Sequence, residues 1–218
     1  MLASDQALRE HVQDELLWDP QIDASAIGVS VKDAVVTLSG TVESYIHKHA
    51  AGEIVTKIRG VRALANKIDV KLPADADRSD EDIARTIAMI FEWNTMIPKH
   101  QIHVEVSQGW VTLAGSVHWH CQRAAAEHTV RGLMGIKGIT NAIEVEPINS
   151  TRVTQADLQS AMKRNLDSEH TIDMILDNDI VILSGPVRTL VERGNVERIA
   201  WNAPGVRYVQ NEIEIVPL

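Results

Sequence analysis

The chain has 218 residues, of which 44% are hydrophobic and 23% charged, a balance typical of soluble globular proteins. Its formal net charge of −9 argues against broad electrostatic binding to nucleic acid or to an anionic bilayer, since both need clustered Lys and Arg. The charged N-terminal stretch lacks both the apolar run of a signal peptide and a membrane span of about 20 apolar residues. We therefore expect a cytoplasmic protein with no transmembrane segment, and the single cysteine agrees with a reducing compartment.

The first 72 residues predict five elements in the order α-β-β-α-β. A helix capped by Ser4 is indicated by apolar residues four apart on one face, Leu8, Val12 and Leu16. Alternating apolar residues in IGVSV (27–31) indicate a strand, and a tight turn joins it to the octapeptide VVTLSGTV (35–42) in an antiparallel hairpin. GVRALANKIDV (60–70) closes the unit as a strand. Between them, a second helix is indicated by the stripe Ile46, Ala50, Ile54 and Ile58.

The same pattern is written twice more along the chain. WVTLAGSV (110–117) and IVILSGPV (180–187) repeat the octapeptide, and IHVEV (102–106) and IDMIL (172–176) repeat the strand before it. The octapeptide glycines, Gly40, Gly115 and Gly185, are 75 and 70 residues apart. Twenty residues beyond each stands another glycine, where a left-handed backbone between helix and strand favours this residue: Gly60, Gly135 and Gly205.

Both helices also recur in the second and third copies. The first helix is seen in Ile83, Ile87 and Phe91 after an N-cap at Ser79, and in Leu158, Met162 and Leu166 after Thr154. The second helix is seen in Cys121, Ala125, Thr129 and Leu133, and in the poorer stripe Val191, Asn195, Ile199 and Ala203, which Val196 and Ala200 would improve by rotating the face.

These elements predict an α+β protein of three tandem small domains. Each domain has two helices packed on a three-stranded mixed sheet. The predicted domains are residues 1–72, 79–148 and 154–218, joined by short polar linkers at 73–78 and 149–153. No domain is basic: residues 1–72, 73–148 and 149–218 carry net charges of −2, −4 and −3.

A strand ending V-T-L-S-G-x-V, a helix, and then G-V-x-x-V-x-N-x-I-x-V resemble the BON domain, named for bacterial osmotically induced and nodulation proteins. The resemblance covers almost the whole chain as three tandem copies. The octapeptide glycines stand at positions that define the pattern, together with Asn66, Asn141 and Asn211.

The resemblance implies a non-enzymatic bacterial module, associated with envelope or osmotic stress, that binds phospholipid or mediates interactions. Because the chain shows no signal sequence and is acidic, we expect a cytosolic protein of the stress or osmotic response. It would bind a phospholipid surface, an ion or a protein partner, with peripheral membrane association and without a cofactor. Nucleic acid is not an expected partner, and the sequence leaves the oligomeric state open.

The sequence does not indicate a catalytic site. Ser39 and Ser184 precede octapeptide glycines, but the second copy has Ala114 there and no copy has a G-x-S-x-G elbow. A position that recurs in all three copies is more often structural than catalytic. We therefore expect the three repeated asparagines to bond local backbone, with a shared ligand surface as the alternative.

A metal site or small-ligand site in the second copy is the alternative function. HWHC (118–121) places His118, His120 and Cys121 close in sequence, and imidazole and thiolate groups bind zinc or copper. Against this, Cys121 aligns with Ile46 and Val191 on the helix stripe and is expected to be a buried, unreactive residue.

Two groups of residues are candidates for lipid or partner contact. Trp18 and Trp93 stand 75 residues apart at the end of the first helix in two copies, and Trp119 follows the second octapeptide. Core packing explains a recurring Trp, and an aromatic docking face is the alternative. A basic group surrounds the turn after the second helix, where it would meet the helix dipole or a phosphate: Arg59, Arg62, Lys137 and Arg207.

Overall fold

In the computed structural model, which describes residues 5–148, 153–165 and 172–216, the chain forms three α-β-β-α-β units. The first unit consists of α1 (Asp5–Trp18), β1 (Ile27–Lys32), β2 (Val35–Val42), α2 (Tyr45–Lys57) and β3 (Ala63–Val70). The second consists of α3 (Asp80–Trp93), β4 (Ile102–Ser107), β5 (Trp110–Val117), α4 (His120–Arg131) and β6 (Gly138–Val145). The third consists of α5 (Gln155–Asn165), β7 (Asp173–Asp177), β8 (Ile180–Val187), α6 (Leu190–Trp201) and β9 (Tyr208–Ile215). The predicted α+β class and the order of elements are confirmed; Ser4 and Leu166 lie outside the described residues.

Each unit has its own mixed sheet, and the repeated octapeptide is its central strand. β2 pairs antiparallel with β1 and parallel with β3, and the other two sheets repeat this arrangement. Val36 and Leu38 on β2 are fully buried and belong to one cluster with the apolar faces of both helices. Each unit therefore buries one sheet face under two helices, as the alternation of apolar residues indicates.

The glycine in each central strand stands where the backbone comes closest to the first strand. Gly40, Gly115 and Gly185 have φ values of +121°, +127° and +125°, which side-chain-bearing residues rarely adopt. A Cβ added at Gly40 would lie 2.0 Å from the carbonyl oxygen of Ala26, and one at Gly115 would lie 2.1 Å from that of Gln101. Only glycine lets the two strands pair at this point.

In the first two units a side chain at the start of the first helix holds the hairpin turn. The Asp80 carboxylate accepts hydrogen bonds from the backbone N–H groups of Gln108 and Gly109, at 2.7 and 2.8 Å. Asp5 does the same with Asp33 and Ala34, at 2.8 and 3.0 Å. In the third unit the equivalent residue, Gln155, bonds strand β7 rather than the turn: it accepts from the N–H of Leu176 at 2.9 Å and donates to the carbonyl of Met174.

The repeated asparagines tie the third strand to the second helix. The side-chain amide of Asn66 donates to the carbonyl of Lys48 at 2.9 Å, and that of Asn141 donates to the carbonyl of Arg123 at 3.2 Å. Asn211 donates to the Glu197 carboxylate at 2.8 Å. Their side-chain oxygens accept from the N–H two residues on. These contacts within the fold use both ends of each amide.

The buried face of the second helix is offset by one residue from the predicted stripe in the first two units, although Ile58 is buried as predicted. In the third unit Ile199 is buried with Val196 and Ala200, the two residues expected to rotate that face. Cys121 is exposed, and Ile46 is 48% exposed. The buried residues are Ala51, Gly52 and Val55 in α2, Ala126 and Val130 in α4, and Val196, Ile199 and Ala200 in α6. Small residues at the contact let the helix approach the sheet closely, and a search for large apolar side chains passes over them.

The three units contact one another through their second helices. Tyr45, the first residue of α2, packs against the core of the second unit. His120, the first residue of α4, stacks on Trp201 of the third unit, with ring centroids 4.9 Å apart and ring planes 14° apart. Leu190, the first residue of α6, packs against the core of the first unit. The contacts run from first to second to third and back to first, which is a closed ring of heterologous interfaces.

We expect Gly115→Ala to cost more than about 3 kcal/mol of unfolding free energy, because the added Cβ combines a disfavoured φ with a backbone clash. Urea denaturation followed by far-UV circular dichroism measures this. Gly132→Ala is the matched control: Gly132 has a φ of −88°, and a Cβ there meets nothing within 4 Å. Equal stability of the two variants would contradict the close approach.

Removal of the hairpin clamp has a separate expected cost. Asp80→Ala leaves two backbone N–H groups without their carboxylate, so we expect a loss of about 1–3 kcal/mol in the same denaturation assay. Asp75→Ala, in the exposed segment before α3, should change stability by less than about 0.5 kcal/mol. A cost for Asp80→Ala no larger than that of the control would show that the clamp adds nothing.

Candidate functional site

The two tryptophans that end the first helices are on the surface. Trp18 is 86% exposed and Trp93 is 83% exposed, so the interpretation of core packing is wrong for both. Trp18 comes two residues after the last buried position, Leu16, which turns it about 200° away from the core face. Trp93 stands in the same relation to Phe91. Each indole therefore projects into solvent at the end of its helix.

Further exposed apolar side chains accompany each indole. Leu17 is exposed beside Trp18. In the second unit Met89 lies one helical turn before Trp93, on the same face, and Met96 follows shortly after the helix; both are exposed. We call Met89, Trp93 and Met96 the apolar tip of the second unit. It is the larger of the two exposed apolar surfaces at these helix ends.

A groove of about 300 Å³ lies beside the apolar tip, between α3 and β4. Its lining comprises Ala84, Ala88, Phe91, Glu92, Pro98, Lys99, His100, Ile102, His103 and Val104. The first unit has Arg9 and Gln13 where the second has Ala84 and Ala88. Two short side chains thus leave room for the groove, which combines an apolar floor with cationic or titratable groups along its rim.

Trp119 lies at the same end of the second unit as the apolar tip. It is 41% exposed and immediately precedes α4. Its backbone N–H donates to the side-chain oxygen of Gln122 at 3.0 Å. Gly115, four residues earlier, pairs with Ile102 at the start of β4, the strand that follows α3. The start of α4 and the end of α3 are therefore at the same end of the sheet.

The basic residues lie at the opposite end of each unit from the indoles. The backbone N–H groups of Arg62, Lys137 and Arg207 donate to carbonyls of the hairpin turns, at 3.0, 2.8 and 2.8 Å, and Arg59 is nearby in sequence. All four residues are exposed. The first helix starts at this turn and runs for 14 residues, or about 21 Å, before it reaches the indole. Within a unit the structure does not bring the basic and aromatic candidates together.

The histidines and the cysteine of the HWHC segment (118–121) do not converge. His118 bonds the carbonyl of Glu146 through Nδ1 at 3.0 Å, whereas His120 stacks on Trp201. Cys121 is exposed, contrary to the expectation that it would be buried. Among the described residues no group of three or more His, Cys, Asp or Glu side chains could hold a metal ion. The metal hypothesis therefore has no supporting geometry in this part of the chain.

Sequence reasoning missed two features of functional interest. The groove could have been found by aligning the copies, since Ala84 and Ala88 replace longer residues of the first unit. The interfaces between units occupy one aligned position, the first residue of each second helix, where Tyr45, His120 and Leu190 differ in chemical type. The sequence shows that these three residues differ, but it does not show that they contact other units.

Within the described residues no helix has the length and apolar character needed to cross a membrane. Comparison with known proteins finds a curated relative, osmotically-inducible protein Y of Escherichia coli (strain K12), 26% identical over 151 residues, or 65% of this chain and 73% of the relative. Solved structures that match include CdsD, a structural protein of the Type III secretion system of Chlamydia trachomatis, at 14% identity over 96% of this chain and 92% of that one, with a TM-score of 0.27. The C-terminal domain of CdsD matches at 14% identity over 96% of this chain and 98% of that one, with a TM-score of 0.25. These scores are too low to support a conclusion about this chain.

One family model matches the chain at three places, and the three matches together cover most of it. The BON domain matches residues 4–71, 79–147 and 150–217. These matches carry the central-strand glycines and the asparagines that tie the third strand to the second helix. The chain therefore belongs to the BON domain family and carries three tandem copies of that domain.

Proposed function

We propose that this chain is a non-catalytic protein of a bacterial stress or osmotic response that docks on a phospholipid surface through the exposed ends of α1 and α3. One observation carries the proposal: Trp18 and Trp93 occupy equivalent places in two units, and both indoles are more than four-fifths exposed. The similarity to an osmotically inducible protein supports the stress-response part.

An indole suits the boundary between water and lipid. Its ring is largely apolar while its N–H can still reach a hydrogen-bond acceptor, so tryptophan favours the headgroup level of a bilayer. Two such rings at the ends of helices add apolar area without requiring a change in the fold. Exposed large apolar side chains that recur at one fold position therefore favour a docking surface over a random exposure.

The second unit is the stronger lipid contact of the two. Beside its apolar tip, Lys99, His100 and His103 line the groove, where they can face an anionic headgroup while the apolar lining accommodates an acyl chain; one carboxylate, Glu92, lines the same groove. Trp18 is followed instead by Asp19, and Asp14 and Glu15 precede it in the last turn of α1. Those carboxylates oppose an anionic surface, so we assign the principal contact to Trp93.

The position of the basic turns shapes the expected salt dependence. Because Arg59 and Arg62 lie at the far end of the first unit, docking through the indoles does not engage them. Binding through apolar insertion depends weakly on salt, whereas binding through exposed arginines is screened by it. Lys99 beside the apolar tip adds one charged contact that salt screens, so binding through the aromatic ends should weaken only partly at high salt, whereas binding through the basic turns alone should be abolished.

The non-catalytic part of the proposal is supported by the polar groups of the repeated octapeptides. The Ser39 hydroxyl donates to the carbonyl of Gly28 at 3.4 Å, which is a bond within the sheet. We also propose a cytoplasmic location with peripheral attachment to the membrane, consistent with a single exposed cysteine that has no partner for an internal disulfide, since disulfides are rare in reducing compartments.

Co-sedimentation with vesicles tests the docking surface. With vesicles of phosphatidylcholine and phosphatidylglycerol, we expect Trp93→Ala to lower the partition coefficient about tenfold or more, since burying a large apolar side chain is worth about 1.5–3 kcal/mol. Trp18→Ala should lower it less. Tyr208→Ala is the matched control, because Tyr208 is an exposed aromatic residue at the start of β9, away from both helix ends.

Two results would contradict the proposal. One is that the full-length protein fails to sediment with these vesicles at any salt concentration. The other is sedimentation that high salt abolishes and Trp93→Ala leaves unchanged, which would assign the contact to the basic turns. Circular dichroism of each variant confirms that the fold is retained.

A further inference from the structure

The outer face of the third sheet carries large apolar side chains. The inner face of this sheet packs under α5 and α6 through alternate residues of its strands, and the residues between them point to solvent. Ile175 is 55% exposed and Tyr208 is 57% exposed, even with all three units in place. Ile180 and Ile182 are half-buried on the same outer face.

These four side chains form one continuous patch. Ile175 on β7 lies directly opposite Ile182 on β8, and Ile180 on β8 is paired with Tyr208 on β9. Side chains of paired residues are about 5 Å apart, and residues two apart on one strand are about 7 Å apart. Single exposed apolar residues are common on protein surfaces, whereas a contiguous group marks an interaction site. We call these four residues the apolar face of the third sheet.

The other two copies show that the fold does not need this patch. Where the third sheet has its opposed isoleucines, the first has Ser30 opposite Thr37 and the second has Glu105 opposite Thr112. The second sheet does carry Trp110 on its outer face, but the indole N–H of that residue is bonded within its own sheet at 2.9 Å. All three sheets have the same topology. The apolar face of the third sheet therefore has a role other than folding.

Carboxylates border the apolar face of the third sheet. Strands β7, β8 and β9 contain no Lys, Arg or His. One cation, Arg207, directly precedes β9. Against it, four exposed acidic residues alternate with the apolar residues along the two outer strands and so share their face: Asp173, Asp177, Glu212 and Glu214. A partner that covers this face therefore has to combine apolar side chains with positive charge.

We propose that the apolar face of the third sheet docks a basic amphipathic helix of a partner protein. An amphipathic helix presents an apolar stripe with polar residues along its margins, and the same sheet already packs two helices on its inner face. The stripe would cover the isoleucines while Lys or Arg side chains reach the carboxylates on either side. A second copy docked through the same face would set carboxylate against carboxylate, and an anionic bilayer would meet the same repulsion.

Titration of the full chain with a synthetic helical peptide tests the proposal. The probe is a fluorescently labelled peptide with Leu along one helix face and Lys at the other positions, and its control has Glu in place of each Lys. By fluorescence anisotropy we expect saturable binding of the Lys peptide and none of the Glu peptide. In methyl NMR spectra of the unaltered protein, the resonances of Ile175, Ile180 and Ile182 should shift as the Lys peptide is added. This measurement stands even if a variant fails to fold.

Two double variants separate the apolar from the charged contribution. Ile175→Ser with Ile182→Thr gives the third sheet the pair found in the first sheet, and it should weaken binding of the Lys peptide about tenfold or more. Asp177→Asn with Glu212→Gln should weaken binding severalfold and reduce its salt dependence. Val35→Thr is the matched control, because Val35 is exposed at the equivalent place of the first sheet and its loss should leave the affinity unchanged.

The proposal is overturned if the Lys peptide does not bind, if the Glu peptide binds equally well, or if the isoleucine double variant keeps full affinity while circular dichroism shows it folded. Peptide-induced shifts confined to the ends of α1 and α3 would also overturn it. So would a concentration-dependent dimer that Ile182→Thr abolishes, because the occupant would then be a second copy. The result is independent of lipid docking, which concerns the ends of α1 and α3.

Discussion

The close approach of a central-strand glycine to the strand beside it is the constraint on which each unit depends. At Gly40 the backbone comes so near the carbonyl of Ala26 that a Cβ would lie 2.0 Å from that oxygen. This approach lets β2 stay paired with β1 as far as Gly40, two residues before β2 ends and the chain turns into α2. Asn66 on β3 fixes the same helix from the other side. The start of α2 is therefore held from two directions, and its first residue reaches the next unit.

Divergence among the copies coincides with the places where they must differ. The cores repeat the same positions, such as Leu38, Leu113 and Leu183 in the central strands. The first residues of the second helices differ because each meets a different neighbour: Tyr45 the second core beside Glu127 and Arg131, His120 an indole, and Leu190 the first core. Three different copies in one chain can thus close a ring through three different interfaces, whereas three identical copies would form three identical interfaces.

The sequence predicted the fold well because its signals were local and repeated. The octapeptides coincide with β2, β5 and β8 over their full length, and Ser79 caps α3 as expected. The second-helix stripe was offset by one residue in the first two units, where the small residues Ala51 and Ala126 are buried, and it held in the third unit at Ile199. Core packing was the wrong interpretation of Trp18. A tryptophan that recurs at one position does not indicate which way its side chain points, whereas the rotation of 100° per residue along an α-helix does. Contacts between units leave no periodic signal, so the ring could not be predicted.

Three regions of the molecule differ in their chemistry: aromatic helix ends, basic turns at the opposite end, and polar or aromatic contacts between second helices. The second helices join the three units. Because Cys121 is the single cysteine, is exposed and follows His120, a nitroxide spin label can be attached there without other changes to the chain. The decisive measurement is paramagnetic broadening of NMR resonances by that label at neutral pH. The ring requires strong broadening of the Trp201 indole N–H, across the unit boundary; broadening confined to the second unit would contradict it.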